Sequence, residues 1–301
     1  MFIKSFQVFL KNNSISIYMN FAALKSLFKT ELSAVYSNSE IDELYSIFIK
    51  KKLGLSKFES RMKSDEIVEE HVIQEFRKII DELKTGKPFQ QILGETEFYG
   101  LKFFVDENVL IPRPETEELL ELAIEKVQVA GCKLQGLKIL DIGTGSGIIP
   151  IVLKKYFPDA EISAIDYSEK ALDFSKKNAD FHKTEIHFIH QDYLSGNLDG
   201  VYHVIISNPP YIGIDEENEI ADSVKEFEPK MALFSPTANP LVFYEKIAED
   251  SKNHLSENGM VFLEINQKLG NETADLFRNV LSVVELKKDI SGNERFVFGR
   301  K

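Results

Sequence analysis

The residues best suited to chemistry are Asn208, Pro209, Pro210 and Tyr211, which follow Ser207 and the apolar run Val204-Ile205-Ile206. Three β-branched residues in a row predict a buried parallel strand. Two prolines cannot donate to a sheet ladder, so the strand must end there in a stiff, extended loop. Asn208 is thereby held at the carboxyl end of a strand, where open α/β sheets bind their ligands. Its amide offers an acceptor and two donors, the proline carbonyls are free acceptors, and Tyr211 supplies a flat ring. Such a pocket suits a planar –NH₂, gripped at its hydrogens and supported on its face. For Asn-Pro-Pro taken alone, an ordinary turn with a capping Asn is the competing reading.

Gly143-Thr144-Gly145-Ser146-Gly147 is the second such stretch, between a strand predicted over 137–141 and a helix carrying Ile148, Ile149, Ile151, Val152 and Leu153. Alternate glycines let the backbone turn tightly and approach a ligand at a helix N-terminus. Position 148 is Ile where a dinucleotide fingerprint requires Gly, and no Gly-Lys-Ser/Thr follows. That spacing disfavours a dinucleotide-dependent dehydrogenase and excludes a phosphate-binding P-loop; a nucleoside with an amino-acid tail suits the loop better. Asp166 ends the next strand, predicted over 161–165, where a carboxylate can accept from both ribose hydroxyls; helix capping is its alternative role. After a third strand over 186–190, Asp192 can accept from an adenine amino group and Tyr193 can stack on the ring. His187 and His190, three apart on that strand, point to opposite faces, so no metal pair is expected.

These side chains need a scaffold, and the alternation of apolar runs predicts one. Strands alternating with helices from 106 to 301 read as a doubly wound, Rossmann-like α/β sheet with two ligand loops at neighbouring strand ends. A fifth strand is expected over 259–265 and an antiparallel pair from 283–286 and 295–299. Pro112-Arg113-Pro114-Glu115-Thr116-Glu117 opens a helix that Gly131 ends, with Pro114 at its first position and Arg113 a candidate for lining the site. Residues 1–88 read as a small helical bundle for substrate docking, with 1–18 as a loose extension or a mis-assigned start. Its helices are expected from Phe21 to Val35, from a Ser39/Asp42 capping box to Gly54, and from Ser64, through Val68, to Gly86. His71 on the last of these reads as structural. Two β-prone stretches, 89–94 and 98–105, around a Gly-Glu-Thr-Glu turn suggest a hairpin linking the two domains.

The chain of 301 residues carries a net charge of −12. Residues 1–88 hold 14 Lys and Arg against 12 Asp and Glu, and the remainder 22 against 36. A phosphate backbone demands several cationic contacts, so the acidic second part is a poor nucleic-acid platform. No apolar run approaches the roughly 18 residues of a membrane span, and 1–20 make a poor signal peptide. The single cysteine, Cys132, rules out an intrachain disulfide and any cysteine-cluster metal site. A cytoplasmic monomer that binds neither nucleic acid nor membrane is expected.

Asp-x-Gly-x-Gly-x-Gly over 141–147, the acid at 166 and Asn-Pro-Pro-Tyr together resemble S-adenosylmethionine-dependent amino-group methyltransferases. Ile111-Pro112-Arg113-Pro114-Glu115-Thr116-Glu117 narrows this, with Ile-Leu-Gly…Glu-Phe-Tyr-Gly-Leu before it, Glu228-Pro229…Ala232-Leu233, and the Arg-Phe-Val-Phe-Gly-Arg ending. From about Met19 onward the chain resembles the peptide-chain release factor glutamine N5-methyltransferases of HemK/PrmC type. That resemblance implies S-adenosylmethionine as methyl donor and the Gly-Gly-Gln glutamine of class-1 release factors as acceptor. It assigns cofactor contacts to Gly143, Thr144, Gly145, Ser146, Gly147, Asp166, Tyr193 and Asn208, and acceptor contacts to Asn208, Pro209, Pro210 and Tyr211. Asn208, Pro209 and Tyr211 would carry the transfer. Tyr193 stands where the family often has Trp, and Gln91 where it often has Tyr. A glutamine methyltransferase of a ribosomal protein and an adenine-N6 nucleic-acid methyltransferase share many of these motifs. A non-catalytic adaptor on the same fold is disfavoured by the intact glycine loop, Asp166 and Asn208.

Overall fold

The computed structural model describes residues 7–11, 14–130 and 136–301; the expected helix stop at Gly131, Cys132, and parts of the 1–18 extension lie outside the described residues. The chain divides into two compact units, 1–93 and 94–301.

In the first unit, strands β1 (Gln7–Lys11) and β2 (Ser14–Asn20) pair antiparallel. Helices α1 (Phe21–Leu32), α2 (Asn38–Leu53) and α3 (Lys57–Met62) follow, then a short strand β3 (Ile67–Val68), α4 (Glu70–Lys84) and α5 (Phe89–Leu93). Phe28, Tyr45, Phe48 and Phe76 meet ring to ring in its core. His71 is exposed, beside Glu69.

Three expectations need correction here. The capping box of α2 is Ser37 with Glu40, not Ser39 with Asp42: the Ser37 N–H donates to Glu40 Oε2 at 2.7 Å. Helix α1 stops at Leu32, leaving Val35 exposed. The stretch from Ser64 is not helical. The carbonyls of Ser64 and Glu66 accept from the free N–H groups of Ala22 and Phe21 at the start of α1, and Val68 pairs with Met19 as a strand. Sequence periodicity could not find α3, because it buries only Ser60 and exposes Phe58 and Met62.

The second unit opens with a hairpin of β4 (Glu95–Phe98) and β5 (Leu101–Phe104). The expected first strand, 89–94, is instead α5, and Glu95-Thr96-Glu97 is strand, with the turn at Tyr99-Gly100. Both turn residues have positive φ, 52° and 67°. Phe98 and Phe103 are buried in the core of this unit, and the β5 backbone at Phe104 exchanges hydrogen bonds with Asn178. After α6 (Pro114–Val129), the chain alternates β6 (Lys138–Ile142), α7 (Ile148–Tyr156), β7 (Glu161–Asp166), α8 (Glu169–His182), β8 (His187–His190) and β9 (Tyr202–Ser207). Short helices α9 (Asp222–Phe227) and α10 (Lys230–Leu233) precede α11 (Val242–His254), β10 (Leu255–Glu264), α12 (Gly270–Arg278), β11 (Val283–Lys288) and β12 (Glu294–Arg300).

The sheet order is β11-β12-β10-β9-β6-β7-β8, with β12 antiparallel to both neighbours and every other described pairing parallel. This is the expected doubly wound α/β sheet, including the antiparallel final pair. The chain runs outward from β6 through β7 to β8, then returns to β9 on the other side of β6. That reversal opens a crevice at the carboxyl ends of β6 and β9, where such sheets take ligands. Among the described residues no helix is long and apolar enough to cross a membrane.

Candidate active site

The glycine loop and the Asn-Pro-Pro-Tyr loop both leave the sheet at this reversal. β6 and β9 are paired through Ile142 and Ser207, and Ser207 Oγ donates to the Ile142 carbonyl at 2.7 Å, so the next residues of each strand emerge side by side. A Cβ on Gly143 would sit 4.0 Å from the Asn208 carbonyl oxygen and from Pro209 Cα. The glycine loop and the Asn-Pro-Pro-Tyr loop therefore lie side by side.

Gly143, Gly145 and Gly147 all have positive φ, between 56° and 79°, which explains their alternation in sequence. Gly143 and Thr144 donate to the Ile165 carbonyl, and Gly145 donates to Asp166 Oδ2 at 2.8 Å. At Gly147 a Cβ would come within 3.0 Å of Ser175 Cα on α8. Gly147→Ala is expected to cost about 1–2 kcal/mol from the left-handed backbone alone, with more from that contact, read as a lowered urea midpoint.

A cavity of about 540 Å³ lies over this loop, with Gly143, Gly145, Asp166, Asp192, Tyr193 and Pro210 among its walls. Asp166 is fixed by Gly145 and by the Ser168 N–H, which donates to Oδ1 at 2.8 Å; burial raises its pKa. Asp192 accepts from the Leu194 N–H and the Ser195 hydroxyl. Tyr193 is tied deeper than a free stacking platform would be. Its hydroxyl donates to Asp250 Oδ2 at 2.8 Å, and its ring lies parallel to Phe243, which also lines the cavity. Tyr167, exposed beside Asp166, is an aromatic wall that the sequence reading passed over.

Under the loop lies another residue that reading did not single out for a role. Asp141 is fully buried, and neither of its carboxylate oxygens has a hydrogen-bond partner among the described residues; nor does the hydroxyl of Thr144. Burial pushes Asp141 up to about 7; the neighbouring Thr144 hydroxyl, outside hydrogen-bond geometry, opposes the rise, and the Asp166 charge adds to it. A nest of glycine backbone, two acids on its far side and an uncompensated carboxylate below fit a cationic nucleoside with an amino-acid tail.

In the Asn-Pro-Pro-Tyr loop, Asn208 Nδ2 donates to Thr116 Oγ1 at 3.1 Å, and Thr116 Oγ1 donates to Glu264 Oε2 at 2.7 Å. The Tyr211 hydroxyl donates to Glu264 Oε1 at 3.3 Å. Thr116 and Glu264 are 5% and 1% exposed. Burial pushes Glu264 up to about 7, while Thr116, Arg295 and Tyr211 pull it back. Glu264 is the last residue of β10, and Leu263 pairs with Ser207, which puts it beside Asn208. A glutamate inside Met260-Val261-Phe262-Leu263-Glu264-Ile265 was the available signal. Arg113 does not reach these groups: it pairs with buried Glu228 at 2.5 Å, whose other oxygen accepts from the Ile111 N–H at 3.0 Å. Among the described residues no cluster of His, Cys, Asp and Glu could hold a metal ion.

Residues 121–226 match the family model of the methyltransferase small domain. The chain is 41% identical over 276 residues to a release factor glutamine methyltransferase of Flavobacterium psychrophilum, covering 91% of this chain and 96% of that one. It is 36% identical to the Bacteroides thetaiotaomicron protein of the same name, covering 89% and 96%. A Streptococcus pneumoniae counterpart is 37% identical, over 93% of this chain and 98% of that one. With 34–41% identity sustained across nearly whole chains, the protein is an S-adenosylmethionine-dependent protein-glutamine methyltransferase and belongs to the release factor glutamine methyltransferase family.

Proposed function

We propose that this enzyme methylates the side-chain amide nitrogen, N5, of the glutamine in the Gly-Gly-Gln motif of class-1 peptide-chain release factors. The observation that carries this reading is the adjacency of the two loops: a Cβ built on Gly143 would lie 4.0 Å from the Asn208 carbonyl oxygen and from Pro209 Cα. An acceptor amide gripped by one loop would then lie against a cofactor cradled by the other. S-adenosylmethionine, when bound, supplies a methyl group on a sulfonium. The glycine loop and Asp166 would hold it, with Asp192 and the Tyr193–Phe243 pair toward its base.

A carboxamide nitrogen is a poor nucleophile because its lone pair is delocalised into the carbonyl. The residues available here orient it. Asn208 Oδ1 and the Pro209 carbonyl would accept from its two N–H groups, and Tyr211 would support the flat amide. Holding reacting atoms within about 3–3.5 Å can supply several kcal/mol of barrier lowering. The net change replaces one N–H by N–CH₃ and releases a proton, and that loop contains no strong base. The helical first unit would dock the release factor, and the acidic second unit speaks against a nucleic-acid acceptor. A cytoplasmic location would follow from such a substrate.

Incubation with labelled cofactor and a class-1 release factor should label one glutamine. A factor whose Gly-Gly-Gln glutamine is replaced should take up no label. Equal labelling of both proteins would overturn the proposal, as would transfer to a ribosomal protein or to adenine in preference to the factor.

A further inference from the structure

We propose that Thr116 and Glu264 are positioning residues: they clamp one end of the Asn208 amide so that its oxygen, not its nitrogen, is presented to the acceptor. This rests on the reading of Asn208 as the residue that grips the acceptor amide.

The argument is one of hydrogen counting. An ionised carboxylate can only accept. Glu264 Oε2 lies 2.7 Å from Thr116 Oγ1, so the single hydroxyl hydrogen of Thr116 is spent on it. Thr116 oxygen is then left with lone pairs alone toward Asn208, 3.1 Å away. An amide turned by 180° would set carbonyl oxygen against hydroxyl oxygen with no hydrogen between them. The carboxylate two links away therefore decides which end of Asn208 faces the acceptor. An acceptor –NH₂ needs an oxygen there. The wrong orientation would offer it a second –NH₂.

Each member is locked. Thr116 sits in the first turn of α6, its N–H bonded to the Arg113 carbonyl. Glu264 ends β10, with its own carbonyl accepting from Tyr244 of α11 and its Oε1 from Tyr211. The other charged groups acting on it are Glu115 of α6 and Arg295 of β12, and Arg295 is itself shared with Asp289 and Gln267. Protonated Glu264 could donate to Thr116. The Thr116 hydroxyl would then be free to turn toward Asn208, and both amide orientations would be satisfied. Activity should therefore rise as Glu264 loses its proton, near pH 7.

Three variants test this with a class-1 release factor as substrate. Thr116→Val should lower kcat about tenfold, the worth of one hydrogen bond of roughly 1.4 kcal/mol, with cofactor Kd unchanged. Thr116→Ser should restore kcat to near wild type. Glu264→Gln, which can still accept from Thr116 but cannot titrate, should flatten the rise of kcat between pH 6 and 8. Wild-type kcat in Thr116→Val, equal damage in Thr116→Ser, or a retained acid limb in Glu264→Gln would each overturn the clamp. Asn208→Ala separates the two ideas. If it is inactive while Thr116→Val is normal, the clamp alone fails; if it is fully active, the reading of Asn208 fails with it.

Discussion

Replacing Asn208 with alanine will reduce methyl transfer by about 10²–10³-fold, the loss typical of removing one preorganised polar contact to a reacting group. The side chain is half-buried and anchored through Nδ2 to Thr116, so its free oxygen needs no reorganisation when an acceptor arrives. Alanine removes the acceptor and leaves the Thr116 hydroxyl bonded to Glu264 alone. The proline-stiffened backbone of 208–210 and its place beside Gly143 should persist, because neither depends on the side chain. Cofactor Kd, measured by titration calorimetry, should change by less than the rate does. Single-turnover transfer to a release factor at saturating cofactor isolates the effect. Transfer at the wild-type rate would show that the Asn208 side chain does not hold the acceptor.

Much of this site was legible because its chemistry lies in short contiguous stretches. The glycine loop, Asp166 and Asn-Pro-Pro-Tyr each stand at the end of a short strand carrying Ile or Val, and period and punctuation are local signals. The clamp was not legible in that way. Thr116 and Glu264 are 148 residues apart; the pairing of β10 with β9 brings Glu264 beside Asn208, and α6, packed on β10, brings Thr116 there. Asp141 stood in plain view as the first letter of the glycine motif, but its lack of a partner is a property of the folded interior. The errors in the first unit have a related origin. The residues from Ser64 to Val68 carry helical spacing, yet the carbonyls of Ser64 and Glu66 are claimed by α1 and Ile67 and Val68 pair with β2, and tertiary pairing outweighs propensity. At 89–94 the aromatic, β-prone composition was misleading, because Phe89 and Ile92 pack with the helical core.

Asp141→Asn should weaken cofactor binding about tenfold and, at pH 8, stabilise the cofactor-free enzyme. A buried, unpartnered carboxylate is costly, and it persists where a ligand charge compensates it. At an effective dielectric near 20, opposite charges attract by about 4 kcal/mol at 4 Å and half that at twice the distance; a cationic ligand over the loop would feel Asp141 without touching it. The sign of the pH effect follows from burial. The folded, cofactor-free protein holds a proton on Asp141 up to about pH 7, whereas the unfolded chain loses it near 3.8. Between those values the native state binds more protons, so this group's contribution to stability falls as pH rises. Glu264, also pushed up to about 7 by burial, adds a slope of the same sign that Asp141→Asn leaves in place. Urea denaturation of cofactor-free protein at pH 5 and 8 should therefore show a smaller drop in the variant than in wild type. Cofactor affinity should rise with pH through 7 in wild type and rise less in Asp141→Asn, since only the ionised acid attracts the cation. An unchanged affinity profile in the variant would mean that Asp141 acts on the loop as packing and not as charge.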